Sequence, residues 1–334
     1  MIKNKRVLIT GGGGFIGVSL AKRLVSDNKV VLLDLTFSEN AFVYSNLKGN
    51  KNIELVEVDI LNADELTRAV AEAQIVVHMA AMVGVQEVIS NALDTLEVNY
   101  TGTSNLLRAV SGNPDFERLV YFSTSEVFGS NAFRVAENAN SALASVQDVR
   151  WCYCVSKLAA EHLVFSYYRQ KALPVVVIRP FNIFGVGRVG DHVVLRFILK
   201  ALRNEDLEVY GDGTQIRAWC YIDDFCDALV KSMEVEGAIG QAFNIGNPLN
   251  TVTVYALASE IVSLCNSRSK IVFREPGFAD VDIRVPDIAR AREILGFSPR
   301  VRLEDGLARN IEWVRKHADQ LSQQVKAKKR EYVI

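Results

Sequence analysis

Tyr153 and Lys157 stand four residues apart in a segment with helical periodicity, so their side chains share one helix face. A nearby ammonium group lowers the pKa of a phenol, because the positive charge stabilises phenolate. Moving the pKa of tyrosine from about 10 to neutrality takes roughly 4 kcal/mol, which Lys157, a hydroxyl donor and a bound cation would supply together. Tyr153 is therefore a candidate general base for a substrate hydroxyl. The alternative is an amphipathic helix whose lysine only reaches solvent.

A glycine-rich turn lies near the start of the chain, between an apolar strand-like run and a helix-like run. It fits two registers, Gly12-x-Gly14-x-x-Gly17 and Gly11-x-x-Gly14-x-x-Gly17, and Phe15 and Ile16 begin the helix. Such a turn brings backbone N–H groups and the positive end of a helix dipole to a pyrophosphate. The pattern predicts a dinucleotide site, because strand, turn and helix follow in the required order.

Asp34 closes the second predicted strand, at the distance from the turn expected of a carboxylate that binds the adenosine ribose. The residues after it, Leu35 to Ser38, include no arginine for a 2′-phosphate. The site is therefore expected to take NAD rather than NADP. The alternative is an aspartate that merely ends a strand.

Strand-like and helix-like segments alternate through the first half of the chain. The predicted strands cover 7–10, 30–34, 53–58, 75–79, 119–123 and 175–179, and the predicted helices cover 15–26, 63–71, 92–110 and 152–170. This order predicts an α/β fold of the Rossmann type, a doubly wound parallel sheet. We expect an NAD-binding domain over 1–181 with a returning strand near 241–246, a smaller interleaved substrate lobe over 182–320, and a basic tail over 321–334.

Composition excludes several classes of partner. A net charge of −1 does not favour nucleic acid, and the longest apolar runs have strand length, so no membrane contact is expected. The five cysteines show no metal-binding spacing, and their odd number favours free thiols in the cytoplasm.

Hydroxyl and acidic side chains follow the fifth predicted strand, in Ser123-Thr-Ser-Glu-Val-Phe-Gly129. With this segment, the whole chain resembles the extended short-chain dehydrogenase/reductases, in their nucleotide-sugar epimerase, dehydratase and decarboxylase branch. The motifs that carry the resemblance are residues 10–17, Asp34, Asp59-Ile60, 78–81, 99–105, 123–129, Tyr153 with Lys157, 179–185 and 211–217.

The resemblance implies a role for each matching residue. Thr124 would bond the oxygen on sugar C4, Tyr153 would be the base, and Lys157 would hold the nicotinamide ribose. The cofactor would also contact Asp59, Ile60, Ala80, Ala81 and Asn99. The nucleotide diphosphate of the substrate would meet Asn182 and Arg217, and Arg196 adds a cation near it. The family also suggests a homodimer built on the helices near 92–110 and 152–170, to which Leu106, Leu158 and Phe165 would contribute unless they belong to the core.

Three reactions remain open after oxidation at C4: loss of CO2, loss of water, or reduction from the other face. Ser125 stands where dehydratases of this branch carry an aspartate, and the Ser125-Glu126 pair resembles UDP-glucuronate decarboxylases, as do Arg150 and Arg284. Arg284 would bind the C6 carboxylate or help protonate C5; the alternative is that it holds the diphosphate, as an arginine of this lobe does in related epimerases. Glu126 beside that carboxylate needs a raised pKa, an arginine partner or a hydroxyl-binding role. A UDP-glucuronate decarboxylase is favoured over a 4-epimerase, a dehydratase, a C4 dehydrogenase or a non-enzymatic NAD sensor.

Overall fold

The computed structural model describes residues 2–37, 41–275 and 281–331, with side chains as far as Leu321. In chain order its strands are β1 (Arg6–Thr10), β2 (Lys29–Asp34), β3 (Ile53–Glu57), β4 (Ile75–His78), β5 (Arg118–Phe122), β6 (Asn131–Val135), β7 (Val175–Pro180), β8 (Ile183–Phe184), β9 (Leu207–Tyr210), β10 (Ile216–Ala218), β11 (Cys220–Tyr221), β12 (Gln241–Ile245), β13 (Thr251–Thr253), β14 (Ile271–Arg274) and β15 (Ile283–Pro286). The helices are α1 (Phe15–Leu24), α2 (Ala63–Val70), α3 (Val85–Ser90), α4 (Ala92–Leu96), α5 (Gly102–Ser111), α6 (Cys152–Lys171), α7 (Val193–Leu202), α8 (Ile222–Glu234), α9 (Val254–Leu264), α10 (Ala289–Leu295) and α11 (Leu303–Glu331).

The main sheet has seven parallel strands in the order β12-β7-β5-β4-β1-β2-β3. Alternate residues of one strand enter different cores: Val7 and Ile9 belong to one apolar cluster, and Leu8 belongs to the other. Both faces of the sheet are therefore covered, which is why its inner strands are largely apolar, whereas the edge strand β3 carries two glutamates and is partly exposed. The predicted doubly wound fold is confirmed, and the predicted strands agree with the observed ones to within one residue.

The helical stretch predicted over 92–110 is confirmed, but it is not α-helical throughout. The segment consists of α4, a π-helical turn at Glu97–Thr101, and α5. Within the π-helical turn, the side chain of Asn99 accepts the N–H of Met82 at 2.8 Å and donates to the Met82 carbonyl at 3.2 Å. Helical periodicity carries no sign of this turn or of its bonds to a distant loop.

A second sheet, in the order β13-β10-β15-β6, carries Arg217 on β10 and Arg284 on β15 in paired positions. The segment expected to return near 241–246 is β12, which pairs with β7. The basic tail begins in α11, but its side chains beyond Leu321 lie outside the described residues. No helix in the described ranges is both long and apolar enough to cross a bilayer.

Candidate active site

The glycine-rich turn follows β1 in the chain. It lies at the carboxyl ends of the strands, beside the neighbouring strands β1 and β4, where the strand order of the sheet reverses. Gly11 has φ +68°, and a Cβ at Gly12 would lie 2.7 Å from the carbonyl oxygen of Ile9. A Cβ at Gly17 would lie 2.8 Å from the carbonyl oxygen of Gly11. Gly14 is the residue before α1. It has no side chain that could accept the first N–H groups of that helix. The turn is therefore a backbone cradle that only glycine can form, and it fits a pyrophosphate.

Asp34 places a carboxylate beside this cradle. Its Oδ2 accepts the N–H of Gly13 at 2.9 Å, and its Oδ1 accepts the N–H of Leu35 at 2.9 Å. Burial raises the pKa of Asp34, and the two N–H donors only partly offset that effect. The carboxylate is thus an acceptor at the position that dinucleotide folds use for a ribose hydroxyl.

The other residues assigned to the cofactor lie at the same edge of the sheet or contact segments there. They are Phe15 and Ile16 in the first turn of α1, Asp59 and Ile60 after β3, Ala80 and Ala81 after β4, and Asn99 in the π-helical turn. The N–H of Ala80 donates to Thr10 Oγ1 at 3.1 Å. Asn99 is 1% exposed, and its side chain bonds Met82 and Ser156.

One cavity of about 280 Å³ gathers most of the candidate catalytic residues. Its lining includes six of the predicted residues, Thr124, Ser125, Glu126, Tyr153, Asn182 and Arg284, and an apolar wall from the segment 83–88. Thr124 begins a 3₁₀ turn directly after β5 and accepts the N–H of Glu126 at 3.2 Å. The carboxyl end of β5 and the first turn of α6 thus bring the hydroxyl, the carboxylate and the phenol together.

The pKa of Tyr153 departs from the prediction. Burial raises it and the charge of Glu126 raises it further, and the opposing hydrogen bond from Thr124 and charge of Arg284 are outweighed. Lys157 does not contact the phenol: its Nζ donates to the Phe122 carbonyl at 2.7 Å. Burial also lowers the pKa of Lys157 to about 7. The protein's own residues therefore do not lower the pKa of the phenol, because both Tyr153 and Lys157 are desolvated, and the joint effect predicted from sequence still needs the bound cation.

Glu126 lies between two arginines. Arg150 Nη1 is 2.8 Å from Oε2, Arg150 Nη2 is 3.3 Å from Oε1, and Arg284 Nη1 is 3.3 Å from Oε1. Burial works to raise the pKa of Glu126, but Arg284 and Arg150 outweigh it, and the net shift is downward. Of the alternatives open from sequence, arginine pairing is the one observed.

Arg284 keeps part of its guanidinium uncommitted. The residue is 6% exposed, and its Nε and Nη2 have no hydrogen-bond partner among the described residues. A buried guanidinium with unused donors at a cavity wall is suited to a planar anion such as a carboxylate.

The three remaining substrate candidates lie farther apart. Asn182 lines the cavity and donates to the Ala218 carbonyl at 3.1 Å. Arg217 donates to the carbonyl oxygens of Ile216 and Asp282, and Arg196 pairs with Asp191 at 2.8 Å. Neither Arg217 nor Arg196 is among the residues that line the cavity.

Two lining arginines were not predicted as site residues. Arg150 precedes Tyr153 by three positions, a spacing that places both at the start of one helical segment and was available as a signal. Arg188 lies in the glycine-rich loop after β8, with its guanidinium 5.5 Å from the Phe15 ring centroid. No periodic pattern marks a residue in such a loop.

Residues 7–246 match the model of a known family, described as the NAD dependent epimerase/dehydratase family. The chain belongs to this family. The family and the cradle together identify the cofactor as NAD, and the chain is an NAD-dependent enzyme.

Similar proteins in this family act on nucleotide sugars. A UDP-N-acetyl-alpha-D-glucosaminuronate decarboxylase of Bacillus cytotoxicus is 34% identical over 93% of this chain and 98% of its own. UDP-glucuronic acid decarboxylase 1 of Danio rerio is 34% identical over 92% of this chain and 72% of its own. A solved UDP-glucuronic acid 4-epimerase from Bacillus cereus, in complex with UDP-glucuronic acid and NAD, has a TM-score of 0.85 and 28% identity, covering 93% of this chain and 99% of that one.

Proposed function

We propose that this enzyme decarboxylates a UDP-linked hexuronate after oxidising its C4 hydroxyl. The observation that carries the proposal is Arg284, a buried guanidinium with two uncommitted nitrogens in the wall that also holds Thr124 and Tyr153. The decarboxylases among its relatives, similar over nearly the whole chain, support the same reaction.

The first step is removal of two hydrogens at C4. Thr124 bonds the C4 oxygen, and Tyr153 accepts the hydroxyl proton. NAD, when held at the glycine turn, would supply an acceptor for the C4 hydrogen and its electron pair, and a positive charge that favours phenolate. That cation is the contribution that the protein's own residues lack, since burial raises the pKa of Tyr153. The glycine turn, Asp34 and Lys157 hold the cofactor in this proposal.

The second step uses the new C4 ketone as an electron sink. The C5–C6 bond breaks, C6 leaves as CO2, and the bonding electrons pass through C5 to the C4 oxygen as an enolate. Water supplies the proton that then adds to C5, which gives a UDP-4-keto-pentose; a UDP-pentose would result if the hydride removed from C4 were returned to it. Arg284 holds the carboxylate before this step, and Arg150 holds Glu126 in its ionised state, so that Glu126 does not consume all donors of Arg284.

We assign the nucleotide diphosphate to the region around the start of α7. That helix has no side-chain cap, so its first N–H groups are available to an anion. Arg188 and Arg196 lie within five residues of its first residue on either side, and Asn182 and Arg217 are assigned to the same part of the substrate.

The deciding experiment is a product analysis with UDP-glucuronate labelled with 13C at C6. We expect labelled CO2 and a UDP-pentose or UDP-4-keto-pentose by mass spectrometry. Tyr153→Phe should abolish both products. Intact labelled substrate in the presence of NAD would refute the proposal. A panel of UDP-uronates with hydroxyl or acetamido groups at C2 would then define the sugar.

A 4-epimerase is the second candidate, because the solved epimerase from Bacillus cereus superposes over almost the whole chain. Epimerisation keeps all six sugar carbons and inverts C4. In the same experiment it would release no labelled CO2 and would give an isomer of unchanged mass, so the two functions are separated by one spectrum.

We also propose that the enzyme is a cytoplasmic homodimer. Of the residues suggested for the dimer face, Leu106 is fully buried within the chain, and Leu158 and Phe165 pack against its own core clusters. Leu93 and Val155, on the adjacent helices α4 and α6, are 68% and 42% exposed instead. Leu93→Asp should produce a monomer in light scattering; an unchanged mass would contradict this face. All five cysteines are free, which fits a reducing compartment, and cell fractionation tests that location.

A further inference from the structure

A buried imidazole lies between the glycine-rich turn and α6, the helix that carries Tyr153, and it has no part in the chemistry above. His78 ends β4 and is 0% exposed. Its Nδ1 lies 2.7 Å from Thr10 Oγ1, and its Nε2 lies 3.0 Å from Thr103 Oγ1. Thr10 immediately precedes the glycine turn, and Thr103 is the second residue of α5. The hydrogens on this chain of atoms can be assigned by counting donors and acceptors.

The hydrogen bonds of Thr10 decide which ring nitrogen of His78 carries the proton. Its Oγ1 accepts the N–H of Ala80 at 3.1 Å and shares the N–H of Met79 at 3.2 Å. Both lone pairs of the hydroxyl are then used, and its single proton is directed at His78 Nδ1. His78 Nδ1 is therefore an acceptor, and the ring proton of the neutral imidazole must lie on Nε2.

From the other ring nitrogen of His78, a series of hydrogen bonds continues, and each group donates to the next. His78 Nε2 donates to Thr103 Oγ1, and Thr103 donates its own proton to the Asn99 carbonyl at 2.7 Å. The Asn99 side chain donates to Ser156 Oγ at 3.0 Å, and Ser156 donates to the Tyr153 carbonyl at 2.7 Å. An unbroken path of hydrogen bonds, carried through Asn99 itself, thus joins the glycine-rich turn to the first turn of α6.

We propose that His78 is a positioning residue: a neutral, Nε2-protonated imidazole that holds the glycine turn in register with the helix carrying Tyr153 and Lys157. This role concerns NAD use and the oxidation step of the proposed function, and it is independent of the later reaction at C6.

The charge state is set by the same contacts. An imidazolium would have to donate from Nδ1 to Thr10 Oγ1, whose lone pairs are already used. The groups around the ring are two threonines, Tyr121 with its ring centroid 5.9 Å away, and one cation, Lys157. Burial and the charge of Lys157 lower the pKa of His78 to about 3. The ring therefore stays neutral, and the register it sets does not change with pH in the physiological range.

The first test reads the tautomer directly, without a variant. In protein labelled with 15N at histidine, the ring in contact with Thr103 should show a protonated Nε2 and an unprotonated Nδ1. Neither shift should move between pH 5 and pH 9. A protonated Nδ1, or a ring that titrates near pH 6 to 7, would overturn the proposal.

The second test separates the two ends of the ring. His78→Asn retains an acceptor for Thr10, His78→Gln retains a donor for Thr103, and His78→Leu retains neither. We expect His78→Gln and His78→Leu to bind NAD at least tenfold more weakly. We expect His78→Asn to keep NAD affinity and to lose about ten- to a hundredfold in the single-turnover rate of NAD reduction, since α6 is then misplaced.

His162, an exposed histidine on α6, supplies the matched control: His162→Gln should change neither quantity. If the His78 variants lower thermal stability but leave NAD affinity and the single-turnover rate unchanged, the residue is only structural and the proposal fails. If NAD reduction behaves as expected but no CO2 appears, the proposed decarboxylation fails and the role of His78 stands.

Discussion

Replacing Arg284 by methionine is the sharpest test of how the site recognises its substrate. The change keeps much of the length of the side chain and removes a guanidinium from a side chain that is 8% exposed. A buried, hydrogen-bonded charge pair that loses one member typically costs 2–5 kcal/mol, or about thirtyfold to several thousandfold in affinity. We expect a loss in that range for UDP-glucuronate and a change of less than about threefold for UDP-glucose, which has no carboxylate.

The charge count of the site gives a second, independent expectation. Glu126, Arg150 and Arg284 together carry one net positive charge, and Arg284→Met reduces it to zero. Adding Glu126→Gln restores one net positive charge on Arg150. The double variant should therefore recover at least tenfold in affinity for UDP-glucuronate over Arg284→Met alone.

Both measurements are made by isothermal titration calorimetry with NAD present and in a Tyr153→Phe background, so that no turnover intervenes. Equal losses for UDP-glucuronate and UDP-glucose would show that Arg284 holds the diphosphate rather than the carboxylate. No recovery in the double variant would refute the charge argument.

Three further predictions concern stability and the cofactor. Lys157 has a pKa of about 7 in the fold against an ordinary 10.5, so the unfolded chain binds more protons between these values and stability rises with pH. Between pH 7 and pH 9.5, the free energy of unfolding of the wild type in urea should rise by about 3 kcal/mol more than that of Lys157→Met. If the unfolding free energies of the two proteins changed in parallel with pH, the prediction would be contradicted. Gly12→Ala should weaken NAD binding at least tenfold by calorimetry, because its Cβ meets backbone at 2.7 Å, whereas Gly112→Ala, with 3.7 Å of room, should not. Arg179→Met should destabilise the fold by about 3–5 kcal/mol in urea unfolding, because Glu161 is then a buried unpaired charge, and adding Glu161→Met should recover most of the loss.

Much of the cofactor half of the site was predictable because its signals are local. The glycine turn, the apolar strand before it and Asp34 all lie within the first 34 residues, and the carboxyl ends of parallel strands meet at one edge. Strand boundaries could be located from runs of buried apolar residues, which end where the strands leave the core.

The electrostatics of the site could not be predicted in the same way. Glu126 and Arg284 are 158 residues apart, and only the folding of β15 beside β6 brings them within 3.3 Å. The pKa of Tyr153 depends on its burial, and the spacing to Lys157 carries no information about where the lysine amino group points. The π-helical turn that contains Asn99, and the bond from Asn99 to the Met82 loop, likewise leave no mark in helical periodicity.

The charges around the cavity also distinguish decarboxylation from dehydration. Loss of water from C6 requires an acid that protonates the leaving hydroxyl. The two carboxyl groups in the lining are Glu126, held ionised by two arginines, and Asp191, paired with Arg196. By the resemblance to the dehydratases of this branch, Ser125 takes the place of their acidic residue, and a hydroxyl is too weak an acid to serve in its stead. Loss of CO2 requires no acid at C6: it needs a cation to seat the carboxylate and a ketone at C4 to take the electrons. In the proposed function Arg284 supplies the cation and Thr124 with Tyr153 makes the ketone, so the arginine pairing that keeps Glu126 ionised fits decarboxylation and not dehydration.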